Sequence, residues 1–158
     1  MKVRIGFGYD VHRLIEGREL WLGGVKVDHE RGLEGHSDAD VLIHAICDAL
    51  LGAANLRDIG YHFPNTETEY KNVASTSLLC KTVHLLKEHG YSVGNIDVTV
   101  CAERPKLSPF IPAMKGKLAE AMGVDPSTIS IKATTSEVMG FVGREEGMTA
   151  YAVALIHQ

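Results

Sequence analysis

The chain has 158 residues, of which 45% are hydrophobic and 23% charged, so its composition is that of a folded globular protein and excludes a disordered chain. Its 16 Lys and Arg against 20 Asp and Glu leave a net charge of −4, which provides no overall attraction to nucleic acid or anionic membranes. The length fits one domain covering residues 1–158, and no apolar run approaches the ~20 residues of a membrane span. Three cysteines without a C-x-x-C pair favour a reducing compartment. We therefore expect a cytoplasmic, single-domain protein with neither a nucleic-acid nor a membrane partner.

The first third of the chain predicts β structure followed by an amphipathic helix. Residues 3–9 alternate as a strand does, and residues 20–27 predict one or two short strands joined at glycines. Apolar residues then recur on one face over residues 38–54, which predicts a helix. Ser37 followed by Asp40 resembles the capping box that begins many helices.

The rest of the chain predicts further alternation of helices and strands. Residues 58–71 are rich in Gly, Pro, Asn and Thr and predict a long loop. Helices are predicted over 72–89 and 113–122, and strands over 95–102, 127–133 and 150–156. This order indicates an α+β (mixed α/β) sandwich with one mixed sheet and helices packed on one of its faces.

The residues best suited to metal binding are Asp10, His12 and His44. Asp10 and His12 are two positions apart, so both side chains point to the same side of an extended backbone. His44 lies in the predicted helix, where Asp40 or Asp48 at helical spacing would accept the proton of its second ring nitrogen. One carboxylate and two imidazoles suit a catalytic zinc site with a free fourth position. The alternative is that His44 is a half-buried structural histidine and that no metal binds.

Two other segments have the composition of phosphate sites. Residues 36–38 precede the first helix, where free backbone N–H groups favour a phosphate, although Ser37 or Asp38 would serve equally as a helix cap. Residues 132–137 combine Lys132, hydroxyls and Glu137, which suit a diphosphate with a hard cation but also an ordinary turn. Gly6-Phe7-Gly8 is not a dinucleotide-binding fingerprint, because residue 11 is Val where the third glycine belongs.

Four motifs in order resemble the 2-C-methyl-D-erythritol 2,4-cyclodiphosphate synthase family of the non-mevalonate isoprenoid pathway. They are residues 5–12 (IGFGYDVH), 36–44 (HSDADVLIH), 58–60 (DIG) and 132–135 (KATT). The resemblance implies a ferredoxin-like sandwich assembled as a homotrimer, with active sites between neighbouring subunits. It also implies a phosphorus-oxygen lyase that cyclises 4-diphosphocytidyl-2-C-methyl-D-erythritol 2-phosphate and releases CMP.

The resemblance assigns roles to individual residues. Asp10, His12 and His44 correspond to the ligands of Zn²⁺, and Glu137 to a residue associated with a second divalent cation, Mg²⁺ or Mn²⁺. The catalytic positions are these four residues and Thr135. The positions that hold the phosphate and erythritol portion of the substrate correspond to His36, Ser37, Asp58, Ile59 and Gly60. The wall that the adjacent subunit contributes to receive cytidine and its phosphates corresponds to Ala102, Lys106, Leu107, Ala133, Thr134 and Thr135.

The resemblance also implies a second ligand site. Phe141 and Arg144 match positions near the central channel of the trimer, where the family can hold an isoprenoid diphosphate or another anion. Asn65 and Glu67 stand where many relatives carry Asp, so no substrate contact is assigned to them. Two other functions remain open: a zinc-dependent phosphodiesterase, and a non-catalytic trimer that binds isoprenoid diphosphates through Phe141 and Arg144.

Overall fold

The computed structural model describes residues 2–64, 66 and 68–158, with the side chain of residue 69 left out, so Asn65 and Glu67 lie outside the described residues. The strands are β1 (Val3–Glu16), β2 (Leu20–Leu22), β3 (Val25–Val27), β4 (Arg31–Leu33), β5 (Ser92–Cys101), β6 (Ile129–Thr134) and β7 (Gly147–His157). The helices are α1 (Val41–Ala53), α2 (Ile59–His62), α3 (Ser75–Glu88), α4 (Ile111–Met122) and α5 (Gly140–Gly143). Short 3₁₀ turns occupy Thr68–Tyr70, Ser108–Phe110 and Pro126–Thr128.

The predicted mixed sheet is confirmed. In the described part of the chain its five strands have the order β4-β1-β7-β5-β6, while β2 and β3 form a separate two-stranded sheet. The central strand β7 pairs antiparallel with both β1 and β5, and β5 pairs parallel with β6. Helix α4 lies in the connection between the two parallel strands, which need a long crossover to run in the same direction.

Helices cover one face of this sheet, as the sequence indicates. Helix α1 packs on β1 and β7, α3 packs on α1, and α4 packs on β6. The strand residues beneath the helices are fully buried, among them Ile96 and Val98 of β5 and Ala152 of β7. Burial of these apolar side chains is the main favourable contribution to the stability of the sandwich.

The opposite face of the sheet is apolar and exposed. Alternate residues of β1 point there, and Ile5 and Phe7 keep 71% and 63% of their surface exposed. Tyr9 of β1 packs beside Tyr151 of β7 on the same face, with ring centroids 5.2 Å apart. We call this surface, made by Val3, Ile5, Phe7, Tyr9, Val11, Tyr151 and Val153, the open sheet face. An apolar surface of this kind marks an interaction site rather than a solvated exterior.

Several elements differ from the sequence prediction at their ends. Strand β1 continues to Glu16 because it pairs with β7 as far as Arg13 and then with β4 from Leu14 to Glu16. Helix α3 begins at Ser75 rather than at Asn72, whose φ of 58° is incompatible with a right-handed helix. The predicted loop over 58–71 contains α2 and a 3₁₀ turn. Within the described residues, none of the helices is both long and apolar enough to cross a membrane.

Candidate functional site

Close contact between β1 and α1 determines where the predicted ligands lie. A Cβ atom on Gly6 would come within 1.9 Å of the carbonyl oxygen of Ala49, and one on Gly8 within 1.9 Å of that of Ala45. No side chain fits in such a gap, so the two glycines allow the helix backbone to rest directly on the strand. Asp10 and His12 follow Gly8 on the strand, and His44 precedes Ala45 on the helix. All three proposed ligands therefore lie at one end of this contact.

Asp10, His12 and His44 converge there. The Nε2 atom of His12 lies 2.9 Å from Oδ2 of Asp10, the Nδ1 atom of His44 lies 3.0 Å from the same oxygen, and the two nitrogens are 3.1 Å apart. The side chains are 21%, 18% and 8% exposed for Asp10, His12 and His44, so the carboxylate and the first imidazole remain accessible to a ligand. The strand geometry expected for Asp10 and His12 is confirmed.

The second nitrogen of each imidazole is bound outside this cluster. Nδ1 of His12 lies 2.7 Å from the carbonyl oxygen of Glu34, and Nε2 of His44 lies 3.0 Å from the hydroxyl of Ser75. A backbone carbonyl only accepts a hydrogen bond, so His12 keeps a proton on Nδ1, and loss of the Nε2 proton leaves the lone pair of Nε2 directed at the cluster. Outer hydrogen bonds of this kind orient metal-binding histidines.

The predicted role of Asp40 and Asp48 as partners of His44 is wrong. Asp40 is the N-cap of α1 and accepts hydrogen bonds from the backbone of Ile43, Gly23 and Gly24. Asp48 accepts the N–H of Ile59 and so anchors α2. Each carboxylate accepts from at least one backbone donor of another segment, which the spacing within one helix does not reveal.

The predicted capping of α1 also needs correction. Asp40 caps this helix, whereas the hydroxyl of Ser37 accepts the N–H of Ala39 before the helix begins. Asp38 instead accepts the N–H of Ser75, the first residue of α3. Neither of the two residues expected to cap α1 does so, because Ala39 adopts a φ of 57° that displaces the helix start to Val41.

Mutual hydrogen bonding shifts the ionisation of the cluster. Burial by itself raises the pKa of Asp10, but the hydrogen bonds and charges of His12 and His44 outweigh it and lower this pKa to about 2. Burial likewise acts to lower the pKa of His12, but the hydrogen bond and charge of Asp10 raise it above its ordinary value. Asp10 therefore stays ionised at any pH near neutrality, which a metal ligand requires.

The donor atoms of the cluster suit a divalent metal ion. One oxygen and two imidazole nitrogens lie within 4.8 Å of one another, which allows a single ion to contact all three after small movements. This is the donor chemistry of a zinc site with three protein ligands. Glu137 is not part of the group that the described residues form around Asp10.

A cavity of about 220 Å³ opens over the cluster. Its wall includes His36, Ser37, Ile59 and Gly60, all of which the resemblance assigns to substrate binding. The Nε2 atom of His36 is buried and, among the described residues, meets no hydrogen-bond partner, so it lacks the partner that a buried polar atom normally has. Asp58 is the N-cap of α2, where its side chain accepts the N–H of Tyr61.

Arg18, which no sequence pattern indicated, holds the loop that carries His36. Its guanidinium donates hydrogen bonds of 2.8 Å to the carbonyl of Gly35 and 2.7 Å to that of Ser37, on either side of His36. The backbone carbonyl of His36 accepts the N–H of Asn72. No local pattern marks Arg18, because it lies in the connection between β1 and β2 and the carbonyls it binds are 17 and 19 residues away.

The predicted nucleotide residues line a second cavity of about 590 Å³. Its wall contains Ala102, Lys106, Leu107, Ala133, Thr134 and Thr135. The structure brings these six residues together but places them in a cavity distinct from the one over Asp10. Within a single chain the two sets of residues do not form one site.

Glu103, a second residue that no sequence pattern indicated, joins the two loops of this second cavity. Its carboxylate accepts the backbone N–H of Ser136 at 3.2 Å and that of Val138 at 3.3 Å. Glu137 and Val138 have φ angles of 54° and 63°, which are rare for residues other than glycine. In such a bend successive N–H groups turn inward and attract an anion, and here Glu103 supplies the negative charge.

Phe141 and Arg144 lie apart from both cavities. Phe141 belongs to α5 and is 39% exposed, and the guanidinium of Arg144 pairs with Glu146 at 2.9 Å. Neither residue is among those that line the two cavities described above.

Comparisons with known proteins identify the family. Residues 3–157 match the model of the YgbB family. The chain is 66% identical over 158 residues, covering 100% of this chain and 99% of the relative, to a 2-C-methyl-D-erythritol 2,4-cyclodiphosphate synthase of Bacteroides fragilis.

Solved structures are similar over nearly the whole chain. The bifunctional IspDF of Campylobacter jejuni matches with a TM-score of 0.94 and 42% identity, over 98% of this chain and 42% of that longer one. A CDP-bound form of 2C-methyl-D-erythritol-2,4-cyclodiphosphate synthase matches with a TM-score of 0.90 and 34% identity, over 98% and 100% of the two chains. The chain, with its mixed sheet and its Asp-His-His cluster, therefore belongs to the YgbB family, that of the 2-C-methyl-D-erythritol 2,4-cyclodiphosphate synthases.

Proposed function

We propose that residues 1–158 form a single synthase domain, a metal-dependent cyclase that converts 4-diphosphocytidyl-2-C-methyl-D-erythritol 2-phosphate into 2-C-methyl-D-erythritol 2,4-cyclodiphosphate and CMP. The observation that carries the proposal is the convergence of Asp10, His12 and His44 beneath a cavity lined by His36 and Ser37. The names of the relatives, at 66% identity over the full chain, support the same reaction.

The cluster of Asp10, His12 and His44 would hold Zn²⁺, and Glu137 would hold Mg²⁺ or Mn²⁺. Imidazole and carboxylate donors suit zinc, and a carboxylate oxygen suits the harder cations. When bound, the two ions would polarise the phosphate oxygens and stabilise the charge that develops on the leaving CMP.

The residues of the first cavity fold the substrate back on itself. His36 and Ser37 bind the phosphate and erythritol portion, and the segment Asp58-Ile59-Gly60 binds an erythritol hydroxyl. The 2-phosphate then attacks the β-phosphorus of the diphosphate in line with the departing CMP. Orientation of two groups in one molecule contributes about 7–11 kcal/mol to such a reaction. The attacking phosphate is already anionic near neutral pH, so the step needs no general base.

The second cavity receives the cytidine end of a substrate bound to the neighbouring subunit. Lys106 and Thr135 contact phosphates, while Ala102, Leu107, Ala133 and Thr134 complete the wall. The separation of the two cavities in one chain supports this division, because neither cavity alone contains both sets of residues. A solved relative is a CDP-bound form, which supports a nucleotide site in the family.

A homotrimer assembled through the open sheet face would unite the two half-sites. Exposed Ile5 and Phe7 give this face the apolar character of a subunit interface. Phe141 and Arg144 would then lie near the central channel, where an isoprenoid diphosphate or another anion binds. The free thiols of Cys47, Cys80 and Cys101 agree with the reducing, cytoplasmic environment that the sequence predicts.

Turnover of the diphosphocytidyl substrate tests the proposed reaction. The cyclase yields the cyclic diphosphate and CMP, and reaction in ¹⁸O-labelled water leaves both products unlabelled. A zinc-dependent phosphodiesterase would instead yield linear products that carry the label, because water would supply the attacking oxygen. A trimer that only binds isoprenoid diphosphates would show no turnover. Either of these last two results contradicts the proposal.

Mixed trimers test the sharing of active sites. His12→Ala disables the first half-site and Lys106→Ala the second, so each variant alone is inactive or weak. After equal amounts are unfolded and refolded together, about a quarter of the sites in a closed ring combine two intact halves. Recovery of activity toward that fraction supports the proposal, whereas no recovery in mixed trimers places both halves in one subunit.

A further inference from the structure

We propose that Ser75, held by Asp38, is a positioning residue that fixes the ring of His44 for metal binding. The inference rests on the proposed metal centre and adds to it a chain of hydrogen bonds from outside the ligand set. Ser75 lies 31 positions from His44 and 37 from Asp38 in the sequence, and the three residues belong to three different segments of the chain.

Chemistry determines the direction of each hydrogen bond in this chain. The hydroxyl of Ser75 contacts Oδ1 of Asp38, and an ionised carboxylate can only accept. Ser75 therefore donates its single proton to Asp38 and must accept from the nitrogen of His44 that lies 3.0 Å away. His44 then keeps a proton on Nε2, so its Nδ1 is the nitrogen that gives up its proton and offers a lone pair to a metal ion beside Asp10 and His12.

Ser75 fits this role better than Ser37, the other hydroxyl near the same nitrogen. The hydroxyl of Ser37 is 3.3 Å from Nε2 of His44 and accepts the backbone N–H of Ala39. Ser75 is closer, is fully buried, and its chain of hydrogen bonds ends on a carboxylate. A charge-assisted chain of this kind holds the ring more firmly than a neutral hydroxyl does.

The same carboxylate attaches helix α3 to the metal centre. Asp38 accepts the backbone N–H of Ser75 at 2.9 Å, where the N-cap residue Ala74 has no capping side chain. The backbone bond does not depend on the hydroxyl, so Ser75→Ala removes the contact with His44 and leaves the start of α3 anchored. The effect on His44 can therefore be separated from a general loss of structure.

Zn²⁺ affinity of the full-length protein, measured by competition with a chromophoric chelator, tests the inference. We expect Ser75→Ala to weaken Zn²⁺ binding about 10- to 100-fold, as losses of outer-shell partners of metal-bound histidines do. The visible absorption of the Co²⁺-substituted protein should change with the same substitution, because the imidazole is no longer fixed. Ser37→Ala should weaken Zn²⁺ binding less than Ser75→Ala does.

Thr82→Val is the matched control, since Thr82 is another fully buried hydroxyl residue on α3. It should leave the Zn²⁺ affinity within about twofold of the unmodified protein, because no ligand depends on its hydroxyl. An unchanged affinity and Co²⁺ spectrum in Ser75→Ala overturns the inference, as does an equal loss in both variants. If the unmodified protein binds no Zn²⁺, the proposed metal centre itself is wrong and the inference fails with it.

Discussion

The backbones of Gly8 and Ala45 are in direct contact. There is no room for a side chain between them, since a Cβ atom on Gly8 would lie 1.9 Å from the carbonyl oxygen of Ala45. The residues on either side of this contact include the three members of the proposed metal centre. His44 reaches Asp10 and His12 only because the helix rests on the strand without intervening side chains. The metal centre thus depends on the absence of a single methyl group.

Gly8→Ala should therefore disrupt both the fold and the site. The new methyl group would meet backbone atoms of α1, which cannot turn aside as a flexible side chain can. We therefore expect a loss of about 3 kcal/mol in the free energy of unfolding. Gly116→Ala is the control, since nothing lies within 4 Å of its Cβ position on α4. It should stabilise the protein by about 0.5–1 kcal/mol. Denaturant unfolding of both variants checks the expectation, and equal stabilities would show that α1 is free to move.

His12→Ala should abolish stoichiometric Zn²⁺ binding and turnover while the protein remains folded. Removal of one of three ligands leaves too few donors for a catalytic zinc site. His84→Ala serves as the control, because that imidazole is 73% exposed and pairs only with Glu88 in the described structure. Metal content and circular dichroism provide the measurements. Global unfolding of the His12→Ala variant would mean that the metal centre supports the fold itself.

Metal binding should release a proton at mildly acidic pH. The pKa of His12 lies above its ordinary 6.5 in the metal-free protein, so the Asp10–His12 interaction stabilises the fold below pH 6.5 and is lost as pH rises through the raised value. Asp10 contributes stability above its ordinary 3.8 that is lost as pH falls through about 2. Zn²⁺ requires neutral His12 and displaces its proton.

Calorimetric titration with Zn²⁺ at pH 6.5, in two buffers of different ionisation enthalpy, measures this proton release. The apparent affinity should increase with pH until His12 is fully deprotonated. Asp10→Asn removes the negative charge that raises the His12 pKa, so the pKa of His12 in the metal-free variant, measured by NMR titration of the ring protons, should fall toward its ordinary value. Buffer-independent enthalpies in the unmodified protein would contradict the expected protonation of His12.

Arg18→Ala should raise the Michaelis constant by loosening the loop that carries His36. The guanidinium binds the carbonyls of Gly35 and Ser37, and hydrogen bonds to charged groups contribute about 1.5–3 kcal/mol. Arg18→Lys should raise the Michaelis constant by an intermediate amount, because one ammonium group does not reproduce the two guanidinium N–H groups that bind the two carbonyls. Lys26→Ala, which removes an exposed ion pair with Glu19, is the control. A Michaelis constant unchanged in Arg18→Ala would mean that the loop keeps its shape unaided.

Glu103→Ala should weaken nucleotide binding without changing Zn²⁺ affinity. Loss of the carboxylate leaves the N–H groups of Ser136 and Val138 without their acceptor and frees the strained bend at Glu137. We expect CDP affinity, measured by calorimetry, to decrease about tenfold, the equivalent of one hydrogen bond to a charged group. Lys106→Ala should also weaken CDP binding, whereas Glu88→Ala on the exposed side of α3 should not. Equal CDP affinity in Glu103→Ala and the unmodified protein would contradict this role.

The sequence alone indicated those features that depend on the direction of side chains within one element. The two-residue spacing of Asp10 and His12 predicted a shared side of a strand, because strand residues alternate with a period of two. The apolar periodicity of α1 and the alternation of helices and strands likewise predicted a sandwich with helices on one face. The resemblance to a known family indicated which distant motifs should lie together. The structure confirmed that Asp10, His12 and His44 do.

The partners of those side chains were decided only by the tertiary structure. Asp40 has the right helical spacing to orient His44, yet its carboxylate binds the Gly23-Gly24 turn, and Ser75 contacts the imidazole instead. A hydrogen bond forms with whichever donor the packing brings within about 3 Å. That proximity depends on how closely α1 approaches β1 and where α3 begins, and neither distance is encoded in the periodicity of a single element.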